Sequence, residues 1–257
     1  MSKFTQCMLA VLVVGGLAVP AIQAGQVDAT FNSVSPMMNV QFSVANLGIT
    51  ETTEAGLFNW TATAGGLSGN FKTCCIELNQ YISFGGNYQY NLVPLQDAGN
   101  PDTGINLPGE HGPIGAMKAS LLRELFGRDY NGGNLDASQA AALQMDVWEI
   151  VYDGNSSQPH HNLNLSAGNF TATSGDPATD SLAQSWLDSL DGAGPKANLI
   201  GLTSPDIQDQ LTLAPVGPSS SVPEPSTVVL AGLAATGLAG WALGRKRRLQ
   251  DPLPTNR

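Results

Sequence analysis

Charged side chains and cysteines are scarce in this sequence. Only 12% of its 257 residues are Asp, Glu, Lys or Arg, against about 25% in typical soluble proteins. Three cysteines are too few for a small scaffold held together by several disulfides, and a protein of this length buries a core without them. Glycine and proline are frequent, with 29 and 16 residues, but form no triplet repeat. Collagen and coiled coil are therefore excluded, and turns between short strands are favoured.

Basic residues are especially rare in the central part of the sequence. Between residues 25 and 221 there are five, whereas 19 of the 21 acidic residues lie there, giving a net charge of −14. Such acidity excludes nucleic acid as a partner and repels anionic polymers. Neutral or amine-bearing surfaces are the easier partners.

The first 24 residues have the layout of a secretory signal peptide. Lys3 supplies the positive charge, an apolar run covers residues 8–19, and small residues precede a cleavage site at Ala24. The apolar run is short and the sequence becomes polar at once after Ala24, which favours cleavage over a retained anchor. We predict that residues 1–24, including Cys7, are removed on export.

The C-terminal part has the features of a membrane anchor with an exposed neck. Residues 228–244 form an uncharged stretch of 17 residues, near the minimum for a transmembrane helix. A basic cluster follows and holds that end in the cytoplasm; it consists of Arg245, Lys246, Arg247 and Arg248. Before the stretch, Pro223 and Pro225 favour an extended, accessible segment.

This C-terminal arrangement resembles the PEP-CTERM sorting signal. The motif residues are Val222, Pro223, Glu224, Pro225, Ser226 and Thr227, followed by the apolar stretch and the basic cluster. In that family an exosortase, a membrane-embedded, transpeptidase-like enzyme of Gram-negative bacteria that make exopolysaccharide, recognises the signal, and the tail is removed during delivery to the surface. The resemblance implies an exported protein, anchored transiently in the inner membrane and then located at the cell surface or in the extracellular matrix.

Residues 25–214 are predicted to form one extracellular α+β domain, with a β-sandwich or barrel-like core and an inserted helical subdomain. Alternating patterns predict strands over 31–49 with a break at Pro36, then over 55–64, 69–84 and 88–95, and closing strands within 198–213. Helices are predicted over 114–126 with a stop at Gly127, from Asp136 to a stop at Gly154, and over 180–190. Residues 155–177 are predicted to be a loop, 215–221 a linker, 222–248 the sorting signal and 249–257 a short tail.

The second predicted helix carries an amide within an apolar stripe. Asp136 and Gln139 have the spacing of a capping box at its start. Helical periodicity places Gln144 on the same side as Val147 and Trp148. A buried amide without partners costs a few kcal/mol. Gln144 is therefore expected either to bond the backbone of a neighbouring strand or to serve a chemical purpose in a dry pocket.

Cys74 and Cys75 are adjacent in the sequence, on a predicted core strand. Neighbours cannot form an ordinary long-range disulfide staple. A strained vicinal disulfide, two buried thiols and one reactive thiol are the alternatives. A thiolate held beside a carboxamide can attack it, expel ammonia and leave an internal thioester, provided that the pocket excludes water.

Cys75-Ile76 together with Gln144-x-x-x-Trp148 resembles the thioester domains of bacterial surface adhesins. In those domains a cysteine between an aromatic and an aliphatic residue is linked to a glutamine that precedes a tryptophan. Here Cys74 stands where the aromatic residue is expected. The resemblance implies a Cys75–Gln144 thioester, a pocket that includes Cys74, Trp148 and Tyr152, and covalent capture of a nucleophile, such as a lysine amine, on a partner.

The sequence thus predicts an exported surface or biofilm-matrix protein that acts as a covalent adhesin. Its expected partners are an exosortase-type processing enzyme and an extracellular polymer, either exopolysaccharide or a protein amine. The alternative is a non-covalent structural or exopolysaccharide-associated matrix protein with inert or vicinally bonded cysteines. No enzyme, cofactor or metal site is predicted, since hydrolase motifs are missing and His160-His161 lacks a carboxylate at ligand spacing.

Overall fold

The computed structural model describes residues 25–99, 113–154 and 163–215. The predicted signal peptide, the sorting motif, the transmembrane helix and the linker after its first residue lie outside these ranges. The described residues up to Ala214 belong to one compact unit. Within the described ranges, no helix is both long enough and apolar enough to span a membrane.

The described part of the protein is a mixed α+β fold built on a large antiparallel sheet, as predicted. Its strands are β1 (Gly25–Val44), β2 (Ile49–Gly65), β3 (Asn70–Cys75), β4 (Asn87–Pro94), β5 (Phe170–Thr173), β6 (Leu199–Thr203) and β7 (Gln210–Leu213). The spatial order is β2-β3-β7-β6-β4-β1-β5, and β1 also pairs with β2. That extra pairing closes six strands into a barrel and leaves β5 attached outside the ring.

The long hairpin of β1 and β2 joins two parts of the fold. The first residues of β1, Gly25 to Thr30, pair with β4 in the barrel, whereas Gln41 to Val44 pair with β5. The predicted break at Pro36 is wrong, because β1 continues through it. A proline cannot donate a ladder hydrogen bond, and the pairing with β2 shifts register between Val34 and Met37, which is how a bulge accommodates an irregular residue.

Three α-helices lie in the described ranges: α1 (Gly115–Asp129), α2 (Ala137–Asp153) and α3 (Pro177–Ser189). The predicted capping box of α2 is confirmed, since Asp136 accepts from the Gln139 N–H and Gln139 accepts from the Asp136 N–H. Every residue from Ala140 to Val151 is buried. This follows from the position of α2, which packs against α1, α3 and four strands at once.

Some predicted boundaries differ from the structure. α1 passes through Gly127 and ends at Asp129. A Cβ at position 127 would clash with the carbonyl oxygen of Pro195, so this glycine permits close packing rather than stopping the helix. β5 lies within the predicted loop over 155–177. Its four residues become a strand because β1 offers them an open edge.

The third predicted strand is much shorter than expected. β3 ends at Cys75, and residues 76–86 contain no strand. The apolar residues Ile76 and Leu78, which suggested a continued strand, are buried in irregular structure instead. The end of β3 therefore coincides with the cysteine that the sequence singles out.

Candidate functional site

The side chain of Gln144 is bound to the backbone of Cys75. Gln144 Nε2 donates to the Cys75 carbonyl oxygen at 2.8 Å, and the Cys75 N–H donates to Gln144 Oε1 at 3.0 Å. The pairing of β2 with β3 ends at Phe58 and Thr73, so the amide replaces a strand partner beside Cys75. Both residues are fully buried. The structure thus brings the two predicted thioester residues together.

The Cys75 thiol is enclosed by the backbone that follows it. Its sulfur donates to the Glu77 carbonyl oxygen at 2.8 Å, and the Glu77 N–H approaches the sulfur at 3.4 Å. Burial raises the pKa of Cys75 to about 12, although contacts with Trp148 and Glu77 act in the opposite direction. A protonated thiol is therefore the resting form at neutral pH, and reaction requires a proton acceptor.

Trp148 and Tyr152, one and two turns after Gln144, both border this site. The Trp148 ring packs against Phe42 and Phe170, with centroids 5.9 and 6.3 Å away. The buried indole N–H has no partner within hydrogen-bonding geometry. It nevertheless lies close enough to the Cys75 sulfur to lower the pKa of that thiol. The Tyr152 hydroxyl accepts from the Leu78 N–H at 2.9 Å and so holds the segment after the cysteine.

Cys74 lies on the other side of β3. Successive side chains of a strand point to opposite faces, and the electrostatic neighbours of the two thiols differ accordingly. Cys74 acts on Tyr130, whose pKa burial and this thiol raise, whereas Cys75 lies near Trp148 and Glu77. Both cysteines are free and buried. The structure groups Cys75, Gln144, Trp148 and Tyr152 together, whereas Cys74 lies on the opposite face of β3, still close enough to Cys75 for that thiol to add to the rise in its pKa that burial causes.

Two carboxyl groups, those of Glu77 and Asp209, lie near Cys75. Asp209 belongs to no recognisable sequence motif. The backbone N–H of Asp209 donates to Glu77 Oε2 at 3.1 Å. Burial raises the pKa of Glu77 to about 7 and that of Asp209 to about 7, the charge of Glu77 adding to the second shift. Both carboxylates raise the pKa of Cys75. Asp209 arrives through the pairing of β7 with β3, which aligns Gln210 with Cys75.

A series of buried polar groups connects the barrel interior to this site. Trp60 Nε1 donates to Thr73 Oγ1 at 2.9 Å, and Thr73 donates to Gln210 Oε1 at 2.8 Å. Gln210 Nε2 donates to Gln208 Oε1 at 3.1 Å, and Gln208 Nε2 donates to the Glu77 carbonyl oxygen at 3.0 Å. That carbonyl also accepts the Cys75 thiol. These bonds fix the position of the acceptor on which the sulfur rests.

Asp146, also in α2, belongs to a different environment. Neither of its carboxylate oxygens has a hydrogen-bond partner, although the residue is fully buried. Burial, followed by the charges of Asp129, Glu149 and Asp188, raises its pKa well above the usual range. It therefore faces α1 and α3 rather than Cys75. Across the described parts of the protein, no group of three or more His, Cys, Asp or Glu side chains is arranged to hold a metal ion.

Comparison with protein families matches residues 221–248 to the PEP-CTERM protein-sorting motif. The protein carries a PEP-CTERM sorting signal. This signal is that of an exported, exosortase-processed surface protein, as residues 222–248 predicted; transient anchoring in the inner membrane stays a prediction. Neither the comparison with curated proteins nor that with solved structures gives a match. The PEP-CTERM match lies outside residues 25–214, which contain the cysteine site.

Proposed function

We propose that this protein is a surface-displayed covalent adhesin that uses a thioester between Cys75 and Gln144. The observation that carries the proposal is the pair of hydrogen bonds between the Gln144 amide and the Cys75 backbone, in a fully buried pocket. A buried, fixed pair of reacting groups supplies the proximity and the dryness that such a bond needs. The PEP-CTERM signal is that of a protein sent to the surface, where an adhesin acts.

The bond forms by an internal exchange without an oxidant. The Cys75 sulfur attacks the amide carbonyl carbon of Gln144, the carbon–nitrogen bond breaks, and the thiol proton leaves with the amide nitrogen as ammonia. The Cys75 N–H already donates to Gln144 Oε1, so it would stabilise negative charge on that oxygen during the attack. The Trp148 N–H would stabilise the thiolate.

The Glu77 and Asp209 pair supports the proton transfer. Because their pKa values lie at about 7, one of them is a base of suitable strength at neutral pH. Oxygens Glu77 Oε1 and Asp209 Oδ2 have no hydrogen-bond partner. They are available for the proton that Cys75 gives up.

The sulfur is the nucleophile when the thioester forms and the leaving group when a partner is captured. A hydroxyl or amine attacks the carbonyl carbon of the Gln144 thioester, the sulfur–carbon bond breaks, and the proton of the nucleophile passes to Cys75. The product is an ester or amide bond between α2 and the partner. Since each molecule reacts once, the protein is a single-use linker rather than an enzyme.

One observation favours a second function. The Gln144 amide has its hydrogen bonds satisfied by Cys75, which alone explains a buried glutamine at this position. With no covalent bond, Gln144 would fasten α2 to the end of β3, and the protein would be a non-covalent component of the extracellular matrix.

Intact-mass measurement of the mature protein, from which residues 1–24 with Cys7 have been removed, decides between the two. It is made without reductant, before and after methylamine, on the wild type and on Cys75→Ala, Cys74→Ala and Gln144→Ala. A thioester makes the wild type one ammonia too light and lets it gain one methylamine. The deficit disappears in Cys75→Ala and Gln144→Ala and persists in Cys74→Ala.

A wild-type protein of full mass with two thiols that react after unfolding contradicts the covalent function and leaves the structural one. A mass lower only by two hydrogens indicates a vicinal disulfide and has the same consequence. Loss of the deficit in Cys74→Ala, with retention in Cys75→Ala, would assign the bond to Cys74 and contradict the role proposed for Cys75.

A further inference from the structure

A surface groove of about 340 Å³ lies beside the β1–β2 hairpin. The segment after β3 lines it with Tyr81 and Phe84, and strands β1 and β2 line it with Asn39 and residues 52–54. Gln208 also lines it. The segment that the sequence predicted as strand is thus the aromatic wall of a groove.

The two aromatic rings are exposed, which is unusual for side chains of this size. Tyr81 is 66% and Phe84 63% exposed. Phe84 stacks on Phe31 with centroids 5.1 Å apart, and Phe31 stacks on Phe58 at 5.5 Å. Tyr81 is held by its hydroxyl, 3.2 Å from a Glu51 carboxylate oxygen. The rings are therefore fixed platforms with free faces.

Strands β1 and β2 add hydrogen-bonding groups of low charge to the groove lining. Asn39, Thr52 and Thr53 supply an amide and two hydroxyls, and Glu54 supplies a carboxylate. Among the described residues that line the groove, none is basic. With the surplus of acidic residues in the domain, this disfavours an anionic ligand. Flat aromatic faces and small polar groups in one groove suit a sugar ring, which has an apolar C–H face and hydroxyls along its edge.

One residue, Gln208, links the groove to the cysteine site by a hydrogen bond. Gln208 lines the groove and donates from Nε2 to the Glu77 carbonyl oxygen at 3.0 Å. The same oxygen accepts the Cys75 thiol at 2.8 Å. Two hydrogen bonds therefore separate the groove lining from the sulfur.

We propose that this groove binds a neutral polysaccharide strand through stacking on Tyr81 and Phe84. The binding itself does not depend on the thioester. That the bound strand also supplies the hydroxyl captured at Gln144 rests on the proposed function. The strand would then lie against Gln208, two hydrogen bonds from the Cys75 sulfur, which favours a polysaccharide over a protein as the covalent partner.

The test measures binding of neutral glucan oligosaccharides, cellohexaose and laminarihexaose, to the full-length protein by isothermal titration calorimetry. An alginate oligosaccharide provides the anionic comparison. Phe84→Ala and Tyr81→Ala remove the platforms, Tyr81→Phe keeps the ring without its hydroxyl, and Leu213→Ala removes an exposed apolar side chain on β7, outside the groove lining. Cys75→Ala removes the proposed thioester.

We expect binding of a neutral glucan but not of alginate, weakened at least about tenfold in Phe84→Ala and Tyr81→Ala. Leu213→Ala and Cys75→Ala keep the wild-type affinity, whereas Tyr81→Phe, which keeps the ring but loses its hydrogen bond to Glu51, binds with an affinity between those of the wild type and Tyr81→Ala. Absence of binding to both glucans, or equal affinity in Phe84→Ala, overturns the proposal. Self-association that Phe84→Ala abolishes would assign the groove to a second copy and overturn it too. Absence of the thioester from the wild-type protein, together with intact glucan binding, rejects only the covalent function.

Discussion

Gln144 completes the hydrogen bonding of Cys75 where strand β2 no longer pairs with β3. Its amide accepts from the backbone N–H of Cys75 and donates to the carbonyl oxygen of the same residue. One side chain of a helix thus acts as the last rung of a β-ladder. The arrangement makes the stability and the chemistry of this site open to measurement.

The first prediction concerns the stability that this amide provides without any covalent bond. In a Cys75→Ala background, Gln144→Met keeps the volume and leaves two buried backbone groups unpaired. We expect the free energy of unfolding to fall by about 2–4 kcal/mol, measured by urea denaturation. Gln139→Met, in the capping box of the same helix, should cost about 1 kcal/mol or less. Equal losses in the two variants would contradict a special role for Gln144.

The second concerns the indole N–H of Trp148. Trp148→Phe keeps an aromatic ring against Phe42 and Phe170 but removes the group that lowers the pKa of the Cys75 thiol. We expect slower appearance of the methylamine-reactive form during refolding, followed by mass spectrometry. The loss of stability should stay below about 2 kcal/mol, since the N–H has no complete hydrogen bond to lose. An unchanged rate would show that this N–H does not assist the sulfur.

The third concerns the proton acceptor. Because burial raises the pKa of Glu77 to about 7, its carboxylate becomes available as pH rises through that value. The rate of thioester formation should rise over the same range. Glu77→Gln should slow it by about 10²-fold or more. Glu149→Gln is the matched control: burial raises the pKa of Glu149 to about 8 and its carboxylate also accepts a backbone N–H, from Asn164, but Glu149 is not among the groups that shift the pKa of Cys75. If both variants behave alike, general burial rather than proximity to Cys75 is responsible.

The fourth concerns stability against pH and does not involve the thioester. Burial raises the pKa of Asp146 well above its usual value, so the folded state holds a proton that the unfolded state releases above about pH 4. The contribution of Asp146 to stability is therefore fully present below about pH 4 and is lost as pH rises toward the folded pKa, by at most about 1.4 kcal/mol per pH unit.

Asp146→Asn removes this contribution, so urea denaturation at pH 5 and pH 8 should show a smaller fall in the variant. Asp129 and Glu149, whose pKa values burial also raises, retain theirs. Asp206→Asn, a change of an exposed residue, should leave the wild-type dependence unaltered. A variant with the full wild-type fall would show that Asp146 is already ionised in the folded protein.

The fifth concerns the sorting signal. Glu224 lies between the two prolines of the matched motif, and we expect Glu224→Ala to leave the tail attached, with the protein held in the membrane fraction. The masses of the surface and membrane forms give the result. Asp251→Ala, beyond the matched residues, should be processed normally. Normal processing of Glu224→Ala would show that this carboxylate is not read.

Local sequence signals predict much of α2 and little of the way in which it meets the sheet. The Asp136–Gln139 box and the stop at Gly154 depend on neighbours within one turn, so they can be found in the sequence. The end of β3 at Cys75 depends on Gln144, which is 69 residues away in the sequence. No local pattern contains that information.

The candidate site likewise combines residues that local sequence signals identify with residues that they do not. Helical spacing and a family resemblance identify Cys75, Gln144, Trp148 and Tyr152. They do not identify Asp209, because it belongs to no motif and reaches the thiol through the pairing of β7 with β3. The sequence does not predict that the rings of Tyr81 and Phe84 are exposed, because the alternating apolar residues over 69–84 are typical of a half-buried strand.

The burial of α2 on all sides has a mechanical consequence. A partner bonded to Gln144 would pull on the middle of the helix, while the opposing pull would come from the C-terminal side of β7. Tension would run through the second half of α2, then β5, α3, β6 and β7. Since every residue from Ala140 to Val151 is buried, the attachment point cannot be drawn out without dismantling the core, and the domain would yield as a whole rather than at its edge.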